Sequence, residues 1–193
     1  APEEGINALD ANTTAANNVA VGLNALTSAT TGYDNTGIGH AGGLGITTGI
    51  QNTFIGSLAG DSTDDGGFNT SVGYNSLSAN CGNQNSALGE NALAQTTGAT
   101  NTAIGAAAGF EVTGGNNNIL VGNDAGRTGS PGGAITTASN ILSLGDENVA
   151  TANIPFSLVS KFSEFTKIVF FSIFNPHSAI GPSFMIKPKK LRI

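Results

Sequence analysis

Asparagine returns at positions 18, 35, 52, 69, 85, 101 and 118, each time opening an Asn-x-x-aliphatic-Gly motif, at spacings of 17, 17, 17, 16, 16 and 17 residues. The motifs read NVAVG, NTGIG, NTFIG, NTSVG, NSALG, NTAIG and NILVG. A fixed short period confines a chain to a stack of similar units. A unit of this size holds two short strands and two turns, which is too little to bury its own apolar face, so neighbours must cover it. The predicted fold class is therefore all-β: a β-solenoid (β-roll or β-helix) of about nine 16–17-residue coils with a distinct C-terminal segment. An α-solenoid is excluded, because its repeats are about twice as long and because Gly, Asn and Thr stand where helix formers are needed. At one strand spacing per coil, nine coils span roughly 43 Å.

The repeat extends past the seven motifs. Gly5 lies 17 residues before Gly22, with Ala1 in the Asn place, and Asn140–Gly145 is a ninth copy, one residue longer, after a loop from Arg127 to Ser139. The residue before the motif glycine is always aliphatic. Read as a column that never tolerates a polar group, Val21, Ile38, Ile55, Val72, Leu88, Ile104 and Val121 are expected to form the buried core, with Ala25, Ala59, Ala92 and Ala108 close by. Strand residues alternate between faces, so Thr36, Thr53, Thr70, Ser86 and Thr102 share that column's face and read as an inward ladder. Asn18, Asn35, Asn52, Asn69, Asn85, Asn101 and Asn118 are expected to form a structural ladder, amide bonding to amide from coil to coil. The glycines mark corners. Four residues after the motif glycine the residue is Leu or Gly, in the order L, L, G, G, L, L, G, G from Leu9 to Gly126. Sequence alone offers no physical account of that order.

Charge divides the chain. Residues 1–155 contain no Lys, and Arg127 is their one base against twelve acids, a net −11; residues 156–193 hold six bases and Glu164, a net +5, with seven of the ten Phe. The expected domains are thus a repeat shaft, 1–155, and a hydrophobic, basic cap or oligomerisation segment, 156–193. In that segment Leu158, Phe162, Phe165, Val169 and Ile173 follow helical spacing, while the same residue types favour strands. An acidic shaft argues against a nucleic-acid partner, which needs a basic footprint. No apolar run is long enough to span a membrane. Cys81 stands alone, so no intrachain disulfide framework is expected.

The string Asn101-Thr102-Ala103-Ile104-Gly105, with relatives such as Asn85-Ser86-Ala87-Leu88-Gly89, resembles two kinds of repeat. One is the head repeat of trimeric autotransporter adhesins and haemagglutinin-type surface proteins. The other is the Asn-Thr-Ala-Ile-Gly repeat of phage tail-fibre-like proteins. The resemblance covers about residues 5–150. It implies a β-solenoid, often trimeric, that serves as a fibre shaft or adhesive head on a virion or cell surface.

Candidate chemistry is sparse. His40 and His177 are the only histidines, and no nucleophile is tied to either by a motif; no enzyme activity and no cofactor are expected. Asp61, Asp64 and Asp65 are the densest carboxylates; their segment matches no calcium-binding repeat, so it reads as a solvated acidic loop and no metal site is expected, with calcium ligation by these three as the alternative. The expected function is a structural fibre or filament protein, extracellular, on a cell surface or on a virion. Its partners are copies of itself, as a homotrimer or filament, together with a host or cell-surface receptor that would meet outward positions such as His40, Tyr74 and Glu90. The alternative is a ligand-binding solenoid for glycan, ice or calcium. An outward, regular Thr array would favour ice.

Overall fold

The computed structural model describes residues 5–130 and 133–146, all within one compact unit, Ala1–Thr151. The expected boundary after residue 155 and the segment 156–193 lie outside the described residues.

The fold is a β-solenoid. Eight three-residue strands, β1 (Val19–Val21), β2 (Thr36–Ile38), β3 (Thr53–Ile55), β4 (Thr70–Val72), β5 (Ser86–Leu88), β6 (Thr102–Ile104), β7 (Ile119–Val121) and β8 (Leu142–Leu144), form one parallel sheet in sequence order. Register follows the repeat, so that Thr36 lies on Thr53, Gly37 on Phe54 and Ile38 on Ile55. Parallel neighbours need a crossover, and here the remainder of each coil supplies it as a chain of tight turns that stack on the turns of the next coil, so each coil has one strand and not the two expected. The partial coil from Gly5 stacks likewise through Leu9 N–H to Ala25 O (3.1 Å) and Ala11 N–H to Thr27 O (2.9 Å).

The motif glycine makes the corner after each strand. Gly56 has φ of +137°, and a Cβ on it would sit 2.4 Å from the carbonyl oxygen of Gly73 in the next coil. Backbone therefore occupies the space of a side chain, coil after coil, which is why no other residue takes this place.

The expected core column is on the wrong side of the sheet. Val21, Ile38, Ile55, Leu88, Ile104 and Val121 expose 37–52% of their surface, and Val72 is only partly buried. The inward residue is the strand centre: Gly37, Phe54, Ser71, Ala87, Ala103, Leu120 and Ser143 are buried. The physical reason is room. A coil this narrow has little space between the strand and the opposing turns, and a uniform column of Ile and Val would overfill it. The predicted satellites Ala25, Ala59, Ala92 and Ala108 are fully buried, and the last three cluster with the strand centres Phe54, Ala87 and Ala103 instead.

The core varies in a compensated way, and this accounts for the Leu/Gly order. Leu26, Leu77 and Leu93 are fully buried and occur in coils whose strand centres are Ala20, Ser71 and Ala87. Phe54 and Leu120 fill the same space from the strand, and their coils carry Gly60 and Gly126. A Cβ on Gly60 would meet the Phe54 ring at 2.4 Å, and one on Gly126 would meet Leu120 Cδ2 at 2.3 Å. Neighbouring coils share the volume too, since Leu26 overhangs Gly37 and Gly43, where an added Cβ would lie 2.8 and 2.6 Å from it. Close packing tolerates neither a doubled side chain nor a void. The Leu residues have φ of 49–51°, a left-handed backbone that disfavours a bulky side chain, so their burial must offset that strain.

Candidate functional site

The buried polar spine is the asparagine row. Asn35, Asn52, Asn69, Asn85, Asn101 and Asn118 are 0–1% exposed, while Asn18, at the start, is partly buried. From Asn18 to Asn101 each Oδ1 accepts the backbone N–H of the following asparagine, as from Asn52 to Asn35 (3.0 Å) and from Asn69 to Asn52 (2.9 Å). Each Nδ2 except that of Asn69 donates to a corner carbonyl, as from Asn35 to Gly49 O and from Asn52 to Gly66 O (both 2.8 Å). The ladder is thus mostly amide-to-backbone, with side-chain links such as Asn52 Nδ2 to Asn35 Oδ1 (3.0 Å) added. It satisfies buried groups that would otherwise destabilise the fold.

The ladder has two irregularities. Asn69 Nδ2 has no partner; its coil meets the first 16-residue repeat, where Gly82 O accepts from Asn85 Nδ2 instead (3.2 Å). There Asn80 Oδ1 also receives the N–H of Asp64 (3.0 Å). At the far end the extra residue of the last copy shifts the row. Asn140 lies beneath Asn117 and accepts its Nδ2 (2.8 Å), whereas Ile141 takes the ladder place and donates its N–H to Asn118 Oδ1 (2.9 Å).

The outward side of the sheet is the most conspicuous surface. One column runs Val19, Thr36, Thr53, Thr70, Ser86, Thr102, Ile119, Leu142, and the parallel one is the aliphatic column from Val21 to Leu144. The Thr row therefore faces out, not in, which corrects the expected inward ladder; it remains on the aliphatic column's face, as alternation requires. Neither column holds a charged residue. Seven strand spacings by three residues make a footprint of about 34 by 10 Å. A shallow groove of about 190 Å³ crosses it between Thr70, Val72, Ser86, Leu88, Thr102 and Ile104.

The predicted contact positions His40, Tyr74 and Glu90 are exposed, in the row after the motif glycine. The three aspartates do not converge. Asp64 accepts a short hydrogen bond from the Thr47 hydroxyl, Asp65 is exposed, and Asp61 turns partly inward, where burial pushes its carboxyl above the usual range despite the N–H groups of Asp61 and Ser62. One carboxylate oxygen of Asp61 is buried without a partner. Among the described residues no group of three or more His, Cys, Asp or Glu could hold a metal ion, and no helix is long and apolar enough to cross a membrane. Cys81 is 2% exposed beside the Thr63 hydroxyl (3.3 Å), and burial raises its thiol pKa.

No protein-family model matches this chain, and no curated protein and no solved structure is significantly similar to it. Sequence reasoning missed the sheet face. The signal was present: Asn52 and Phe54 are two apart and share a face, so a buried Asn row places Ile55 outside.

Proposed function

We propose that this protein is a structural shaft module of a virion or cell-surface fibre, extracellular, acting through regular reach and self-assembly rather than through turnover of a substrate. The observation that carries this reading is the stack of eight parallel strands in register, backed by a hydrogen-bonded row of seven Asn. Such a stack transmits rigidity along one axis, and its geometry supplies repeated positions rather than one deep pocket. Repeated outward positions after the motif glycine would then give a receptor many small contacts, whose sum grows with valency.

A second reading is favoured by one specific observation. The Thr column faces outward beside an aliphatic column at strand pitch, a regular pattern of hydroxyls and methyls suited to ordering water and holding an ice surface.

The shaft reading is tested by deleting one repeat, residues 35–51, and by duplicating it. Small-angle scattering of each folded variant should give a rod shorter or longer by about 4.8 Å. Loss of the folded state on removal of a whole repeat, or a particle length unrelated to repeat number, would count against it.

A further inference from the structure

We propose that the outward sheet face is the surface through which copies of this chain associate, resting on the shaft reading above. The face carries no charge, whereas described acids such as Asp34, Glu90 and Glu111 lie on other rows. Two acidic shafts repel each other everywhere except across an uncharged strip. Leu88, Ile104 and Ile119 expose 44–51% of their surface there, and Leu142 exposes 64%. The strip of roughly 340 Å², its hydroxyl row included, is comparable to the largest apolar patch of a typical monomer, about 300–600 Å², which is often functional.

Pitch selects the occupant. Side chains recur at every strand, about 4.8 Å apart, along the whole stack. A partner that meets all of them needs the same repeat, and another copy of this face has it by construction. Ice is the other periodic candidate, but the hydroxyl row is interrupted. Val19, Ile119 and Leu142 replace Thr at three of eight strands, and the groove at Ser86 breaks the flatness. A groove that takes a side chain suits interdigitation with a second apolar sheet. Even with contact along the whole stack the footprint falls short of the ~800 Å² per partner of a standard interface, so the association is of the weak class and one charge in mid-column should disrupt it.

The test compares full-length wild type with Ile55→Lys, Ile104→Lys and the off-face control Tyr74→Lys by sedimentation. Wild type and Tyr74→Lys should be multimers that tighten with added salt, as screening removes the acidic repulsion. Both face variants should sediment at monomer mass with an unchanged circular dichroism spectrum. A second measurement covers loss of folding: Thr53→Cys should cross-link between copies with a bifunctional thiol reagent, and His40→Cys should not. A monomeric wild type, face variants that stay multimeric, or equal cross-linking at both sites would overturn the proposal. A monomeric wild type that depresses the freezing point, with the effect lost in Ile55→Lys, would assign the face to ice. A monomer whose length still follows repeat number would leave the shaft reading standing while the interface fails.

Discussion

Phe54 and Gly60 should behave as one unit in stability measurements. The ring is fully buried, and glycines lie on both sides, with Cβ positions of Gly43 and Gly60 falling 2.9 and 2.4 Å from it. Phe54→Ala leaves a hole that glycine cannot fill, and should cost about 3–5 kcal/mol. Gly60→Leu alone drives a side chain into the ring, costing about 1–3 kcal/mol for overpacking, with about 1–2 kcal/mol more for a left-handed backbone. The double variant recreates the arrangement of Ala87 with Leu93, and Leu93 accepts φ of 51° where Gly60 has 61°. It should be more stable than Phe54→Ala, with a coupling of about 2–3 kcal/mol. Urea unfolding of the four proteins, followed by circular dichroism, measures that coupling. Additive losses, or a Phe54→Ala midpoint equal to wild type, would refute the shared-volume account of the core.

Removing Asn52 strands the Asn69 N–H and the Gly66 carbonyl, so Asn52→Ala should cost at least ~2 kcal/mol; Asn69→Ala should cost less, because its Nδ2 has no partner to lose. Thermal melts of the two variants decide the order. Gly56→Ala should prevent stacking at that corner, given the 2.4 Å approach to Gly73 O, and limited proteolysis should locate new cleavage there. The Asp61 carboxyl is raised above 3.8 by burial, so the folded state holds its proton more firmly than the unfolded one. Its contribution to stability is present below pH 3.8 and is lost as pH rises through the folded value. Asp61→Asn should therefore raise the melting temperature at pH 7 and give no such gain at pH 3; an equal gain at both would contradict this assignment.

Periodicity, in-register stacking, a ladder of Asn side chains and the glycine corners were legible in the repeat because each imposes one residue type at one place. The facing of the strands was not. Constancy of Val21, Ile38 and Ile55 resembles a core, while the varied centres Ala20, Gly37, Phe54 and Ser71 resemble a surface. In a narrow solenoid the relation inverts, since core positions vary together to share a small volume and the outer columns stay constant. The Leu/Gly order was half of that relation, unreadable until the strand centres were set beside it.

The cross-coil hydrogen bonds join residues 16 or 17 apart through most of the stack, and 23 apart across the long loop. Ring closure therefore carries nearly the same entropic cost for every coil, however long the chain. Relative contact order falls as coils are added, the reverse of what slows most β-proteins. Once one pair of coils has formed, folding can advance by a zipper whose rate per step does not depend on length. During synthesis each coil can settle on its predecessor as soon as one further period has emerged, long before the chain is complete.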